Sequence, residues 1–380
     1  MSREFDLIVF GATGFTGRRA VRYLHDHAPD SLRWAVAGRD RARLEEVADG
    51  RPAIVADALL PSGPAEIAAR TRVVLNLAGP FRRYGDPLVA ACVERGTHYC
   101  DISGETARVR DLIDRYHAAA VRAGVKIVPF GGVSSTPADI AALLVSDRLG
   151  RQPHHLRATV RMRGGTLNGG TVASMIDAVE NGDAAREKDP FLLGPAGRAP
   201  SGHEVDPRGL RYDARSKAWL LPSPVGTSDT RAVRRSADIL GRRVLVQEHL
   251  AFDGWTGLAP ALAMAAGIGT VNALLRFRRG RHLLARLVPP GRGPSERQIA
   301  QGAFALHMQG TDADGDEVTV RVRGDGDPGN RITVTCGCEI ALALVGNCGS
   351  LPQDAGVLTP ATAIGSGLAG RLGRAGILFD

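Results

Sequence analysis

Short apolar runs alternate with amphipathic stretches along the first third of the chain. The first run, residues 7–10, ends at a glycine and precedes a segment whose apolar residues Ala20, Val21 and Leu24 recur at helical spacing. Short apolar runs between turn residues are typical of strands buried on both faces, and helices between such strands produce a parallel sheet. The pattern predicts strands at 7–10, 34–37, 53–56, 73–76, 97–100 and 126–128. We therefore expect a doubly wound α/β sheet in this part of the chain.

The second half of the chain has a different pattern. Residues 318–322 and 332–335 alternate strictly between apolar and polar positions, with a turn rich in Gly and Asp between them, and this predicts a β-hairpin. Residues 157–163 alternate loosely, as an edge strand does. Thr171 is a candidate N-cap for a helix over 172–180. These patterns predict a second domain of the α+β class.

Residues 254–275 contain no charged side chain, and an arginine cluster at 276–281 follows them. About 20 apolar residues can span a bilayer, and a basic flank favours anionic lipid. Within the run, Pro260, Gly267, Gly269 and Asn272 weaken a membrane span. Three interpretations of the predicted helix at about 256–275 stay open: a span, an interfacial or partner-docking helix, and an ordinary buried helix. Residues 256–281 are thus a candidate contact with a membrane or an acyl carrier.

The chain has 380 residues, which corresponds to about two domains, and a formal net charge of +8. Only Lys126, Lys188 and Lys217 are lysines, and every other basic residue is an arginine or histidine. Such an excess indicates either a coding bias or attraction to phosphate-rich cofactors and acidic carriers. The arginines are scattered and no nucleic-acid recognition motif accompanies them, so we expect no nucleic-acid partner.

Five cysteines, an odd number, do not form a disulfide framework and fit a reducing compartment. Cys336 and Cys338 have no second pair at zinc-finger spacing, so we expect no metal site. The first residues lack the basic, apolar and small-residue pattern of a secretory signal. We expect a cytoplasmic protein, associated with a membrane if residues 256–281 contact lipid. The sequence leaves the oligomeric state open, a homodimer included.

A glycine-rich segment joins the first predicted strand to the first predicted helix. Its glycines have the spacing G-x-x-G-x-x-G, at the place in a strand–helix unit where a dinucleotide fingerprint lies. The first glycine permits a tight turn, the second lets a pyrophosphate approach the backbone, and the third lets helix and strand pack closely. A purely structural turn is the alternative. The predicted cofactor-binding residues of this loop are Gly11, Thr13, Gly14, Phe15, Thr16 and Gly17.

The residues after the second and third predicted strands select the nucleotide. Arg39 follows the second strand, where an acidic residue would bind the ribose hydroxyls of NAD. A guanidinium there stacks on adenine and pairs with a 2′-phosphate. We therefore predict NADP(H), with Asp40 as a competing ribose ligand. Asp57, after the third strand, is either an adenine-edge contact or a helix cap.

A loop of small residues follows the fourth predicted strand. Ala78, Gly79 and Pro80 lie where the nicotinamide half of the cofactor is expected, since a backbone that passes close to a ring needs small residues. Tyr84 follows at once, and we expect it to project into the cleft. In such an enzyme the cofactor carries hydride, and the protein positions the substrate and supplies a proton or an oxyanion partner.

Several segments together resemble the saccharopine dehydrogenase-like oxidoreductases, in particular the trans-acting enoyl reductase branch. The segments that carry the resemblance are 10–17, 37–39, 79–81 with 84–85, 96–99 with 101 and 104–105, 116–117, 124–129 and 356–360. The most specific are Gly-Thr-His-Tyr at 96–99 and Gly-Val-Leu-Thr-Pro at 356–360. The resemblance implies a Rossmann domain at 1–133, completed by a C-terminal helix within about 350–380, and a mostly antiparallel substrate domain at 134–349. It also implies NADP-linked reduction, in some members of an enoyl group on a carrier-bound acyl chain.

One segment departs from the family pattern. After the strand at 126–128 the family usually has Cys-Gly-Phe-Asp-Ser-Ile-Pro-Ser-Asp. Here Gly131 stands in place of the cysteine and Ser134 in place of the first aspartate, whereas the last aspartate persists as Asp139. If the first aspartate takes part in the chemistry, this chain has an altered or lost step. Its substrate then differs from the usual one of the family.

Four side chains near the carboxyl edge of the predicted sheet are candidates for chemistry: Tyr84, Ser134, Tyr99 and Asp101. We place Tyr84 and Ser134 nearest the nicotinamide. Three of the four have a structural alternative. Tyr99 is alternatively a core aromatic with a bonded hydroxyl, Asp101 a helix cap, and Ser134 a cap of the next helix. His98 alternates with Tyr99, so at most one of the two faces the cleft from a regular strand.

Three functions are compatible with these residues. The leading one is NADPH-dependent reduction of a C=C bond in an acyl or carrier-bound intermediate of lipid or secondary-metabolite biosynthesis. The second is a C=N or amino-acid dehydrogenase, whose dicarboxylic substrate requires convergent arginines such as Arg161, Arg163 or Arg231. The third is a sensor that binds NADPH without turnover, which the serine at 134 favours. An apolar tunnel would indicate an acyl substrate, and closed space over the nicotinamide would indicate a sensor.

Overall fold

The computed structural model describes residues 3–133, 135–150, 155–165, 167–195, 205–346 and 351–380. Ser134 lies outside these residues. The strands are β1 (Phe5–Phe10), β2 (Trp34–Gly38), β3 (Ala53–Val55), β4 (Thr71–Asn76), β5 (His98–Asp101), β6 (Lys126–Val128), β7 (His155–Arg163), β8 (Arg211–Asp213), β9 (Ala218–Pro222), β10 (Leu245–Asp253), β11 (Ala303–Thr311), β12 (Glu317–Asp325), β13 (Gly356–Val357) and β14 (Ile377–Phe379). The helices are α1 (Phe15–His27), α2 (Arg41–Ala48), α3 (Ser62–Arg70), α4 (Phe81–Arg95), α5 (Thr106–Arg122), α6 (Thr136–Leu149), α7 (Gly169–Glu180), α8 (Asp183–Arg186), α9 (Gly226–Ile239), α10 (Leu258–Arg276), α11 (Arg278–Leu287), α12 (Glu296–Ala300), α13 (Thr333–Gly346), α14 (Pro360–Ile364) and α15 (Gly367–Arg374).

The first sheet has seven parallel strands in the order β13-β6-β5-β4-β1-β2-β3. Leu7 and Val9 of β1 face one buried cluster, and Ile8 and Phe10 face another, so helices cover both faces of the sheet. The strand order reverses between β1 and β4. In open α/β sheets a ligand binds at this switch point, at the carboxyl ends of the strands. The predicted Rossmann sheet is confirmed.

The second sheet also has seven strands, in the order β14-β12-β11-β7-β10-β9-β8. Only β7 and β10 run parallel, and the other neighbours are antiparallel. This confirms the expected mostly antiparallel sheet. The prediction that 157–163 is an edge strand is wrong, because β7 lies between β11 and β10. Its buried and partly exposed positions alternate, so its polar residues mark the open face of a central strand and not an unpaired edge.

The C-terminal part of the chain contacts both sheets. Helix α13 packs against α1, β1, β4 and β5 of the first sheet, and β13 extends that sheet next to β6. Strand β14 then pairs with β12 of the second sheet. The predicted hairpin of 318–322 with 332–335 is wrong, since β12 pairs with β11 and residues 333–335 open α13. Residues 333–345 are buried throughout, as in a helix of the core. An apolar–polar alternation over only four residues could not distinguish such a helix from a strand.

A buried polar network joins the segment 356–361 to the second domain. The Asp139 carboxylate accepts hydrogen bonds from Ala361 N, at 2.8 Å, and from the Ser236 hydroxyl. The hydroxyls of Ser236 and Thr359 lie 2.6 Å apart. Burial raises the pKa of Asp139 to about 6. The position of Asp139 therefore fits a structural role between α6, α9 and the start of α14.

Helix α10 is apolar and lies on the surface. Together with the short turn at 255–257 it is long and apolar enough to cross a membrane, yet only 11% of its most apolar window is buried. Its inner side contacts α7, α11, β9 and β10. The interpretation of this segment as an ordinary buried helix is therefore wrong. The sequence pattern could not separate the two cases, because a buried core helix and an exposed apolar helix have the same composition.

Candidate cofactor and substrate site

The glycine loop between β1 and α1 has the geometry of a pyrophosphate cradle. Gly11 has a positive φ of 80°, and a Cβ atom there would lie 2.7 Å from Ala78 N. A Cβ atom at Gly17 would lie 2.1 Å from Gly11 O, so only glycine lets α1 approach β1 this closely. Gly14 caps α1, and no described side chain bonds the first amides of the helix. The N–H groups of Phe15 and Thr16 thus remain at a helix N-terminus, where they and the helix dipole favour a phosphate.

The carboxyl end of β2 has the features of an adenosine 2′-phosphate site. Arg39 is exposed, and its guanidinium carbon lies 5.6 Å from the centre of the Tyr84 ring. A Cβ atom at Gly38 would lie 3.9 Å from the Thr13 hydroxyl, which places that hydroxyl beside the strand end. Asp40 is engaged elsewhere, because its carboxylate caps α2 by accepting Arg43 N. The structure thus brings Tyr84 close to Arg39, at the carboxyl end of β2.

Asp57 contacts its own loop. Its Oδ1 accepts a hydrogen bond from Leu59 N at 2.9 Å, in the turn that leads to α3. This is the geometry of an Asx turn. The N-cap position of α3 is held by Pro61, so Asp57 closes a turn and does not cap the helix, and its contact with an adenine edge stays a prediction.

The loop after β4 lies between the two domains. Asn76 Oδ1 accepts a hydrogen bond from Ala78 N at 3.0 Å, and the Gly79–Pro80 peptide bond is cis. A Cβ atom at Gly79 would lie 3.4 Å from the Ser174 hydroxyl of α7. Helix α7 begins three residues earlier than predicted, because Asn168 and not Thr171 supplies the N-cap and accepts Thr171 N. The predicted nicotinamide loop therefore faces a helix of the second domain.

Tyr99 and Asp101 form a fully buried network beneath this loop. The Tyr99 hydroxyl donates to Asp101 Oδ2 at 2.8 Å and accepts from Asn76 Nδ2 at 2.9 Å. Arg108, also fully buried, donates to Asp101 Oδ2 at 2.9 Å and to Asp86 at 2.7 Å. Burial and the neighbouring Asp101 carboxylate hold the pKa of Tyr99 well above its ordinary value. Neither side chain reaches the open cleft, which matches the structural alternative for Tyr99.

Glu105 is a site residue that the sequence analysis quoted only as part of a motif. Its carboxylate accepts hydrogen bonds from Phe81 N and Arg82 N, each at 3.2 Å, at the start of α4. It also bonds the Ser174 hydroxyl. Burial raises its pKa. Glu105 therefore joins the Gly79 loop to α7, and no local sequence signal could show a contact between such distant segments.

The connection from β6 to α6 faces a pair of buried carboxyl groups. Ser135 has a φ of 132°, and its hydroxyl lies 3.3 Å from Asp229 Oδ1 and 3.3 Å from the Ser228 hydroxyl. Asp229 and Glu248 are both buried, and burial raises the pKa of both groups; the neighbouring Glu248 carboxyl raises the pKa of Asp229 further. Two adjacent buried carboxyl groups share a proton, because the two groups cannot both be ionised at the same time. The structure describes nothing of the neighbouring Ser134.

The arginines that a dicarboxylic substrate would need are engaged in other contacts. Arg161 pairs with Asp253 at 2.7 Å, and Arg163 donates to Gln301 O at 2.7 Å. Arg231 is fully buried and donates to Asp206 and to backbone carbonyls. The described residues also contain no group of three or more His, Cys, Asp or Glu side chains placed to hold a metal.

Comparison with known proteins agrees with this geometry. Residues 7–128 match the family described as saccharopine dehydrogenase NADP binding domain. A Mycobacterium bovis trans-acting enoyl reductase is 32% identical, and a Mycobacterium tuberculosis protein provisionally given the same name is 37% identical; each alignment covers 99% of this chain and 97% of the relative. The saccharopine dehydrogenase of Saccharomyces cerevisiae has the same fold, with a TM-score of 0.60 over 99% of both chains at 14% identity.

The fold, the glycine loop and these similarities define an NADP-dependent oxidoreductase of the saccharopine dehydrogenase type. Its cofactor is NADP(H), which the free N–H groups at the start of α1 and the exposed Arg39 fit. Within this class, the similarity over nearly the whole chain is decisive. The chain belongs to the family of trans-acting enoyl reductases.

Proposed function

We propose that this enzyme reduces the C=C bond of an enoyl thioester with NADPH, on an acyl chain attached to a carrier, in lipid or secondary-metabolite biosynthesis. The observation that carries the proposal is the full-length similarity to trans-acting enoyl reductases. A second observation favours it over a dicarboxylate dehydrogenase. Arg161, Arg163 and Arg231 are all committed to contacts within the second domain.

NADPH supplies a hydride, which reduces the β-carbon of an enoyl thioester and leaves negative charge on the thioester oxygen. The protein has to hold the cofactor, stabilise that charge and deliver a proton to the α-carbon. We assign the pyrophosphate to the loop Gly11–Gly17 and the 2′-phosphate to Arg39. The Tyr84 ring next to Arg39 then borders the adenosine, and Ala78, Gly79 and Pro80 border the nicotinamide.

Tyr99 and Asp101 act, in this proposal, as positioning residues. Their network holds Asn76, whose side chain in turn bonds Ala78 N in the loop beside the nicotinamide. Glu105 is the candidate proton donor, because it lies between that loop and Ser174 and burial raises its pKa. Ser134 stays a prediction as a second polar group near the nicotinamide.

The experiment is an assay of NADPH oxidation by the purified protein with an enoyl thioester, matched with the saturated thioester as the control substrate. We expect NADPH consumption with the enoyl compound alone, and a saturated product by mass spectrometry. Glu105→Gln should lower kcat and remove the alkaline decline of the pH–rate profile, while the Kd for NADPH is unchanged. Tight NADPH binding without reduction of any enoyl thioester would favour the sensor instead.

We further propose a cytoplasmic enzyme that contacts a membrane or a carrier through residues 256–281. Three large apolar side chains along α10 and α11 are exposed to solvent. They are Trp255 just before α10, Phe277 between the two helices and Leu287 at the end of α11, with exposed fractions of 73%, 67% and 66%. No acidic residue occurs between Asp253 and Glu296, whereas six arginines do. An apolar surface next to clustered arginines suits an anionic lipid surface. The test is co-sedimentation with phosphatidylglycerol vesicles: Phe277→Glu should reduce binding, and Leu60→Glu, at an exposed leucine outside this segment, should not.

The oligomeric state of the enzyme, a homodimer included, stays a prediction. Sedimentation equilibrium measures it directly. A dimer whose formation protects α10 from hydrogen exchange would assign the exposed apolar surface to a second copy of the chain and contradict the membrane contact.

A further inference from the structure

A cationic cavity lies between α1 and residues 291–296, away from the first sheet. It encloses about 330 Å³, within the range of about 300–1,000 Å³ that ligand sites occupy. Its lining residues are Phe15, Arg18, Arg19, Arg22, Gly291, Arg292, Gly293 and Glu296. Four of these eight residues are arginines, and one is acidic. The cavity therefore carries an excess of positive charge.

The cavity is separate from the face of α1 that packs against the sheet. Phe15, Arg18, Arg19 and Arg22 are spaced so that they share one side of the helix. The buried residues of α1 are Phe15, Gly17, Ala20, Val21 and Leu24, and of these only Phe15 also lines the cavity. The pyrophosphate cradle lies at the end of the helix, above the sheet edge. Phe15 and Arg18 border this cradle as well as the cavity, since Arg18 donates to Thr13 O at 2.6 Å in the glycine loop. Arg22 lies about two turns further along α1, so a ligand held by Arg22 and Arg292 would lie beside the cofactor.

Carboxylates neutralise only part of the positive charge of the cavity arginines. Arg19 pairs with Glu296 at 2.6 Å, and its guanidinium carbon lies 3.8 Å above the centre of the Phe15 ring. Its Nε is buried and bonds no described residue. Burial lowers the pKa of Arg19, and the like charges of Arg18 and Arg22 lower it further, against the raising effect of Glu296. Among the described residues, no carboxylate pairs with Arg18, Arg22 or Arg292. An anion would complete the site.

The cavity wall connects directly to the substrate side of the cleft. The segment that closes the cavity also contacts the start of α7: Gly169 N donates to Arg292 O at 2.8 Å, and a Cβ atom at Gly169 would lie 2.1 Å from Pro289 O. Ser174, which faces the Gly79 loop, is five residues further along α7, roughly 7.5 Å at 1.5 Å per residue. A ligand anchored in the cavity thus has a short path along α7 to the nicotinamide loop.

We propose that this cavity binds the phosphate of the phosphopantetheine arm that carries the enoyl thioester. The inference rests on the proposed function. Guanidinium groups match the several acceptor oxygens of a phosphate, and the Phe15 ring offers an apolar surface to the adjoining chain. The arm between phosphate and thioester is about as long as four extended residues, roughly 14 Å, which exceeds the step along α7. Coenzyme A and an acyl carrier protein both present this group.

The test is calorimetric titration of the NADPH-saturated protein with 4′-phosphopantetheine, and with pantetheine as the matched ligand without phosphate. We expect binding of the first and at least tenfold weaker binding of the second. Arg22→Gln with Arg292→Gln should weaken 4′-phosphopantetheine binding at least tenfold and leave the Kd for NADPH within twofold. Arg374→Gln, an exposed arginine on α15, is the matched control and should change neither.

Three results would overturn the proposal: equal binding of pantetheine, displacement of the ligand by NADPH, or unchanged binding in the double variant. Titration with coenzyme A, and with a carrier protein with and without its arm, identifies the source of the phosphate. The binding measurement needs no turnover, so its outcome is independent of the reaction. Phosphate-dependent binding without enoyl reduction would refute the proposed function alone, and reduction with an unaltered KM in the double variant would refute the cavity alone.

Discussion

The replacement of Tyr99 by phenylalanine separates a positioning role of this side chain from a catalytic one. Its hydroxyl accepts from Asn76 at 2.9 Å and donates to Asp101 at 2.8 Å, and all three side chains are fully buried. Tyr99→Phe keeps the aromatic ring and removes the hydroxyl. The side-chain amide nitrogen of Asn76 then loses its acceptor, and the Asp101 carboxylate loses one hydrogen-bond donor. A buried polar group that loses its partner costs about 1–3 kcal/mol. We expect the free energy of unfolding to fall by that amount.

Turnover should respond much less than stability. Asn76 keeps its bond to Ala78 N, so the loop beside the nicotinamide stays in place and kcat should fall less than about tenfold. The loss of a general acid, by contrast, lowers kcat by about 10²–10⁴. Urea unfolding followed by the fluorescence of Trp34, which is buried in β2, measures stability, and NADPH oxidation measures turnover.

Tyr116→Phe is the matched control for Tyr99→Phe. Tyr116 lies on α5, is partly buried, and its hydroxyl bonds no described residue. Both stability and turnover should therefore be unchanged in this variant. A Tyr99→Phe enzyme with unchanged stability and a loss of turnover above a hundredfold would refute the positioning role and restore Tyr99 as a proton donor.

Three further predictions test the cofactor site and the interdomain network. Arg39→Gln should weaken NADPH binding about tenfold to a hundredfold and leave NADH binding unchanged, because a hydrogen bond to a charged group contributes about 1.5–3 kcal/mol; equal weakening of both, in a fluorescence titration, would contradict it. Gly17→Ala should abolish NADPH binding, since its methyl group would lie 2.1 Å from Gly11 O, whereas Gly267→Ala, with no atom within 4 Å, should bind normally. Burial raises the pKa of Asp139 from 3.8 to about 6, so the folded chain holds a proton there that the unfolded chain has lost, and about 3 kcal/mol of stability disappears as pH rises through this window. Asp139→Asn should flatten this part of the curve of urea midpoint against pH, and an equally steep decline in the variant would assign it to other groups.

The first sheet could be predicted from the sequence because its signals are local. Its strands are short apolar runs, and the residues that end them are glycines or the polar starts of helices. The glycine loop also has a local sequence signal. Its three glycines are explained by contacts within the β1–α1 unit and with Ala78. Arg39 followed from its place after β2. These features need no knowledge of the second domain.

The second domain and the polar network needed contacts that no local pattern contains. β7 was predicted at an edge, yet β11 and β10 pair with both of its sides. The first residues of α13 alternated like a strand, and the burial of the helix against the first sheet decides its structure. Tyr99 and Asp101 lie at the carboxyl end of β5, where chemistry is expected, but Arg108 from α5 encloses them. The role of Glu105 depends on Ser174, which belongs to the other domain.

The departure from the family pattern at Gly131 has a structural explanation that bears on the missing aspartate. Gly131 N donates to Asp101 O at 2.8 Å, and a Cβ atom at Gly131 would lie 2.6 Å from the same oxygen. A cysteine side chain at this position would therefore push the β6–α6 connection away from β5. Phe130 N also bonds Ser103 O at 3.2 Å, so the connection lies directly against the segment that holds Asp101. The carbonyl oxygen of Asp101 leaves no room at position 131 for the side chain of the family cysteine. Gly131 and Ser134 therefore both belong to a β6–α6 connection that differs from the family pattern. That connection begins at the wall of the Tyr99–Asp101 network and ends at Asp139, so the persistence of Asp139 reflects its contacts with Ser236 and Ala361 and carries no information on the predicted role of Ser134.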